Sequence, residues 1–187
     1  MNYDEMEDML KILGSAEETA SALADELARH IIMSALEKPF SIALSGGSTP
    51  KLLFQALAAR HRDSVDWRKV RLFWVDERCV PPDDPESNYG MTRDALLEKI
   101  DIPAACVFRI RGEDDPDSEA VRYSEVIERS VPWKNERPFF DVVLLGLGED
   151  GHTASIFPGN EYLFNAGETC VVAVNPYTGQ KRIYMGG

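Results

Sequence analysis

FFDVVLLGLGEDGHTAS, residues 139–155, is the stretch on which the reading of the fold turns. An apolar run of Phe, Val and Leu meets three glycines, Gly146, Gly148 and Gly151, in the spacing of a dinucleotide-binding fingerprint, and the loop ends on His152. A short apolar run stopped by glycine is the pattern of a buried parallel strand. The glycines then either cradle a cofactor pyrophosphate or present the histidine. A dinucleotide site needs a long helix directly after them and an acidic residue closing the next strand. Pro158-Gly159 interrupts that helix within about two turns, and Glu168 stands before CVVAV at 170–174 rather than after it. The residues favour a strand that turns sharply and exposes Asp150 and His152 at its carboxyl end.

Outward from this strand the same alternation repeats. FSIAL at 40–44 stops at Gly46-Gly47 and a helix is predicted over 50–59. Residues 70–75 form another apolar run ending at Asp76-Glu77-Arg78, with a proline- and aspartate-rich loop at 81–85. Residues 89–100 and 118–130 read as helices, 107–110 and 170–174 as strands, and the acidic cluster 113–117 as a solvated turn. Ser15, with Glu18 three residues on, reads as a capping box. It opens a helix to about residue 36 whose Ala20, Leu23, Ala24, Leu27 and Ile31 form one apolar stripe. Strands alternating with helices predict an α/β, Rossmann-like three-layer sandwich around a mainly parallel sheet. A length of 187 residues with 44% apolar content predicts a single domain with a full core. Trp67, Trp74 and Trp133 are expected in or near it.

Twenty Lys and Arg against thirty-two Asp and Glu leave a formal charge of -12. This is the opposite of the footprint that nucleic acid or an anionic membrane attracts, so neither is an expected partner. Cys79, Cys106 and Cys170 are far apart and odd in number, which signals neither a disulfide framework nor a zinc site and fits a reducing cytoplasm. The N-terminus is acidic where a leader would be basic, and no apolar run approaches the roughly 20 residues of a membrane span.

In an open parallel sheet, ligands collect at the carboxyl ends of the strands. Three such ends carry polar chemistry. In SGGSTP, residues 45–50, Gly46 and Gly47 let a ligand reach the backbone, Thr49 is placed to cap the helix, and Ser45 and Ser48 flank the turn. The free amides of that helix start make an anion site, although an ordinary tight turn explains the segment equally well. Asp76-Glu77-Arg78 is either the exit of the chain into solvent or a site, in which Asp76 binds hydroxyls or orients a base and Arg78 pairs with a phosphate. The third end is the opening loop, where an imidazole beside a carboxylate suits general base catalysis. His30 and His61 lie in helical stretches, and no G-x-S-x-G occurs, which argues against a hydrolase triad and most metal sites.

SGGSTP, VDERCVPPDDPESNYGM at 75–91 and GLGEDGHTASIFPG at 146–159, in this order, resemble the glucosamine-6-phosphate isomerase/6-phosphogluconolactonase family, on its lactonase side. The resemblance runs from about the first helix to Arg182. The deaminase branch is expected to carry a glutamate shortly after its histidine, where this chain has Ile156-Phe157-Pro158. The resemblance implies a cytoplasmic enzyme of the oxidative pentose phosphate pathway that hydrolyses 6-phospho-D-glucono-1,5-lactone to 6-phosphogluconate without metal or organic cofactor. His152 would be the general base, Asp76 or Asp150 its orienting carboxylate, and the glycine turn at 45–49 the holder of phosphate or oxyanion. Arg78 and Arg182, with Lys181 a weaker candidate, would supply positive charge. An isomerase or deaminase on the same scaffold, or a non-catalytic sugar-phosphate binder, are the alternatives. The family is expected to continue beyond QKRI, residues 180–183, with a strand and a helix, a pattern that residues 184–187 do not match. Oligomeric state is open.

Overall fold

The computed structural model describes residues 10–34, 38–159 and 167–186. The expected end of the first helix near residue 36 and the acidic N-terminal stretch lie outside them. Helix α1, Ala16–Ser34, opens as its sequence predicts: Ser15 Oγ accepts from Glu18 N at 3.1 Å. The Glu18 carboxylate returns to Gly14 N (2.9 Å), one residue earlier than a standard capping box. Ala20, Ala24, Leu27, Ala28 and Ile31 are buried against the helix at Ser48–His61, whereas Leu23, expected in the stripe, is 40% exposed at its border.

Strand β1 (Phe40–Leu44) is buried at all five positions, so both faces of the sheet are covered. It pairs in parallel with β2 (Val70–Trp74) and β7 (Val142–Val143), and β2 pairs in parallel with β4 (Val107–Phe108), giving the order β4-β2-β1-β7. The α/β sandwich around a parallel sheet is therefore present. Its edge corrects one expectation. Residues 139–145 carry the pattern of a strong buried strand, yet among the described residues only Val142–Val143 are paired as strand, and Phe139, Val143 and Leu145 are 40%, 47% and 61% exposed. Among the described residues β7 has a single neighbour, β1, so one side of its apolar run is left uncovered.

The chain then departs from a purely parallel plan. Val75 donates to Leu44 O and accepts from Met185 N, both at 2.8 Å, and so passes the chain from the first sheet into a second. There β3 (Asp76–Arg78), β9 (Lys181–Met185) and β8 (Cys170–Val174) pair antiparallel in the order β3-β9-β8. Asp76-Glu77-Arg78 is thus a strand and not an exit to solvent. It was unreadable as one because its polar residues are buried by partners distant in sequence.

Helix α2, Ser48–His61, starts two residues before the predicted boundary; its N-cap is Gly47, and no side chain caps it. Thr49, expected as the cap, lies inside the first turn. Helix α3 (Asn88–Ala95) is capped by Ser87, whose Oγ accepts from Gly90 N at 2.9 Å, and a 3-10 turn at Leu97–Lys99 replaces the rest of the helix expected to residue 100. Helix α4 (Pro116–Ser130) is capped by Asp115, so the acidic cluster at 113–117 is a helix start rather than a bare turn. It packs on β8 and β9. The buried Tyr123 hydroxyl of α4 accepts from Trp74 N at 2.8 Å and closes the end of β2. Trp67 and Trp74 are core residues, but Trp133 is 54% exposed because it sits in the two-stranded hairpin β5 (Trp133–Lys134) and β6 (Arg137–Pro138) outside the main sheet. Cys79, Cys106 and Cys170 are unpaired. Among the described residues no helix is long and apolar enough to cross a membrane.

Candidate active site

The carboxyl ends of β1 and β7, the β3–β9 pair and the start of α3 surround one cavity of about 430 Å³. Ser45, Gly46, Gly47, Ser48, Thr49, Asp76, Arg78, His152 and Arg182 all line it, joined by Asn88, Leu145, Leu147, Gly148 and Ala154. Of the residues singled out from sequence, Asp150 and Lys181 are not on its wall. Side chains alternate along β9, so the strand turns Arg182 inward and leaves Lys181 exposed.

The glycine loop answers the question its sequence raised. Gly148 N–H donates to His152 O (2.8 Å) and Gly151 N–H to Gly148 O (2.9 Å), a tight turn that folds the imidazole back over Gly148. A Cβ at Gly148 would overlap ring atoms Cε1 and Nδ1 of His152 and stand 2.8 Å from Asp150 Oδ1. That glycine makes room for a histidine, not for a pyrophosphate. Asp150 Oδ1 lies 2.5 Å from His152 Nδ1 and also accepts from His152 N at 3.2 Å. The hydrogen bond from the imidazole, seconded by that backbone N–H, holds the Asp150 carboxyl below the usual carboxylate range. An ionised acceptor at Nδ1 fixes that nitrogen as the proton carrier. Among the described residues Nε2 has no hydrogen-bond partner.

Asp76 does not touch the imidazole. Its Oδ2 accepts from Ser155 Oγ at 2.7 Å, its Oδ1 from Asn88 Nδ2 at 3.2 Å, and Arg182 Nη1 stands 3.9 Å away. Of the two aspartates left open by the sequence, Asp150 is the one beside His152, while Asp76 ties the far end of the loop to β3 and α3.

Arg78 donates through Nη1 to Glu86 O at 2.5 Å. Among the described residues the buried Nε groups of Arg78 and Arg182 have no hydrogen-bond partner. Burial, and then the neighbouring Arg78 charge, push the Arg182 guanidinium below its usual range, against the opposing pull of Asp76. Two like charges with unused donors at one wall form an arrangement that an anion completes. At the opposite wall, the first amides of α2 are unclaimed by any side-chain cap.

Three residues of the site were not read from the sequence as site residues. Glu77 is 1% exposed and accepts from Tyr89 N (2.7 Å), Asn88 N (2.8 Å), Arg78 N (2.8 Å) and Ser87 Oγ (3.1 Å). Burial pushes its carboxyl up and those donors oppose the shift. By gathering the first amides of α3, it sets Asn88, which donates to Asp76 O at 2.9 Å and lies so close to Gly46 that a Cβ there would overlap its Oδ1. Ser155, fully buried on Asp76, is the third. The signals in the chain were the SNY at 87–89 and the HTAS at 152–155, to which spacing alone attaches no role.

Comparison with known proteins agrees with the geometry. Residues 14–186 match the family described as glucosamine-6-phosphate isomerases/6-phosphogluconolactonase. Over 146 residues, 78% of this chain, it is 51% identical to the 6-phosphogluconolactonase of Treponema pallidum, and the match spans 61% of that relative's length. The crystal structure of devB protein superposes with a TM-score of 0.88 at 41% identity, covering 94% of this chain and 73% of the other. The 6-phosphogluconolactonase of Trypanosoma brucei superposes with a TM-score of 0.79 at 33% identity, covering 94% of this chain and 75% of the other.

Proposed function

From the premise that the chain belongs to the glucosamine-6-phosphate isomerase/6-phosphogluconolactonase family, we propose that it hydrolyses the ring ester of 6-phospho-D-glucono-1,5-lactone to 6-phosphogluconate, in the oxidative pentose phosphate pathway. The observation that carries this reading is the pairing, on one cavity, of an imidazole whose Nδ1 is held by Asp150 and whose Nε2 is unclaimed with two guanidiniums whose Nε groups lack an acceptor.

His152 Nε2 removes a proton from a water as its oxygen attacks C1 of the lactone. The carbonyl electron pair moves onto its oxygen. When the tetrahedral centre collapses, the bond from C1 to the ring oxygen breaks and the proton on Nε2 passes to that oxygen, which leaves as the C5 hydroxyl. One imidazole therefore serves as base and then acid, a contribution of about 10²–10⁴ in rate. Asp150 keeps the imidazole in the tautomer that leaves Nε2 available and stabilises the imidazolium that forms. Arg78, Arg182 and the free amides at the start of α2 hold the substrate's negative charge, the phosphate in the ground state and the oxyanion as it develops. Leu145 and Leu147 give the cavity an apolar side. The three unpaired cysteines suit a reducing cytoplasm.

The lactone opens unaided in buffer, so the test is a coupled assay of 6-phosphogluconate formation with the buffer rate subtracted. His152→Ala is expected to lose about 10²–10⁴ of the enzymic rate while 6-phosphogluconate still binds by calorimetry. A variant that keeps its rate refutes the base assignment, and a wild-type chain no faster than buffer refutes the activity.

A further inference from the structure

Phe157 is 2% exposed, and side chains from three segments of the chain converge on its ring. The His152 imidazole lies against it at 4.9 Å between centroids with the planes tilted by 33°. The Arg182 guanidinium of β9 stands over it at 5.6 Å, and Tyr177, from the turn between β8 and β9, meets it edge-on at 6.2 Å. Neither polar group is fixed by its hydrogen bonds alone. Among the described residues the imidazole has a single side-chain acceptor, Asp150, and a ring held at one nitrogen still turns about that contact. Among the described residues Arg182 has one carboxylate within ion-pair distance, Asp76 at 3.9 Å, and a buried Nε without a hydrogen-bond partner.

We infer that Phe157 is a positioning residue that acts through both groups at once: its ring fixes the plane of the general base and the plane of the anion-holding guanidinium relative to each other. This rests on the lactonase reading of the cavity. The face of an aromatic ring attracts a guanidinium and leaves its donors free for a ligand, which a carboxylate in the same place does not. The same ring closes one face of the imidazole, so Asp150 and Phe157 together leave it one orientation. The spacing between the proton-transferring nitrogen and the phosphate-holding charge is thereby built into one side chain. A general base is effective only at the right distance from the reacting carbon, and a 1 Å error can cost about 10² in rate.

The test uses the full chain. Phe157→Leu removes the ring and keeps an apolar side chain; it is expected to lower kcat by about tenfold or more and to raise KM for the lactone by about fivefold, the scale of a half-buried cation–π contact. Phe157→Tyr, which keeps the ring, is expected to retain both constants. Residues that touch give non-additive double-mutant cycles. In a His152→Ala background Phe157→Leu is therefore expected to lower the rate by a smaller factor than in the wild type, and in an Arg182→Ala background to raise KM by a smaller factor. Additive cycles, or a lower melting temperature with wild-type kcat and KM, overturn the inference. Phe157→Met takes the place of the leucine variant if that does not fold. A wild-type chain without turnover overturns the lactonase reading alone. The inference is then decided by calorimetry with 6-phosphogluconate, in which Phe157→Leu must weaken binding only while Arg182 is present; equal binding with and without the ring overturns it.

Discussion

Replacing Gly148 by alanine isolates the placement of the imidazole from every other property of the site. The backbone accepts the change, because Gly148 is not among the residues with positive φ. Its new methyl group has nowhere to go: a Cβ would lie 2.8 Å from Asp150 Oδ1 and closer still to Cε1 and Nδ1 of His152, where ordinary contact begins at 3.4 Å. The imidazole and its carboxylate must therefore retreat by roughly 1 Å, a displacement that costs about 10² in rate, or about 2.7 kcal/mol of transition-state stabilisation. Arg78, Arg182 and the α2 amides are untouched, so KM and 6-phosphogluconate affinity are expected to stay near wild type. Stability is expected to change by no more than about 1 kcal/mol, since alanine also restricts the unfolded chain. The assay is steady-state lactone hydrolysis with the buffer rate subtracted, alongside a thermal melt. A folded Gly148→Ala enzyme with unchanged kcat would refute the claim that this glycine exists to admit the histidine.

Three further outcomes follow from the same contacts. Gly46→Ala drives a methyl into Asn88 Oδ1, which is buried and tied to Asp76, and is expected to destabilise by about 1–3 kcal/mol in urea titration. Glu77→Ala leaves three backbone N–H groups and the Ser87 hydroxyl without their acceptor; at about 1–3 kcal/mol for each buried donor that finds no water, the melting temperature should fall steeply and KM rise with the displacement of Arg78 and Asn88. Asp141 is pushed up by burial, but Lys38 and the N–H and hydroxyl of Ser41 outweigh that and leave its carboxyl below the usual range. A depressed carboxyl contributes stability that is complete above its unfolded value and is lost as pH falls through the folded one. Asp141→Asn should accordingly flatten the urea midpoint against pH on the acid side, and an unchanged acid slope would show that this pair is not its source.

The sequence carried the parts of this fold that are local. The Ser15 cap, the apolar strands at 40–44 and 70–74, and the glycine turn that ends the first of them were legible because each depends on residues within a few positions of one another. So was much of the cavity wall, since β1, β2 and the strand before the histidine loop each run into a polar end, although Glu77, Asn88 and Ser155 were not read as part of it. Trp133 and residues 139–145 misled for the converse reason: an apolar side chain states a tendency to be buried, and whether a partner covers it depends on which strand reaches that edge. Asp76-Glu77-Arg78 left two readings open, a solvent exit or a site, because charges buried by Asn88, Tyr89 and Arg182 look in sequence like charges bound for water.

What the amino-acid sequence determined by itself is a set of strand-to-turn transitions and the chemical groups they carry, because backbone period and glycine placement act over short range. Only the tertiary structure decided which carboxylate lies beside the histidine. Asp76 and Asp150 are equivalent candidates in a list of residues, but the turn at Gly148 and Gly151 brings Asp150 onto Nδ1, while antiparallel pairing with β9 sets Asp76 opposite Tyr184, beside Arg182. Pairing between strands distant along the chain is fixed by how the apolar surfaces close over one another, and no single segment contains that information.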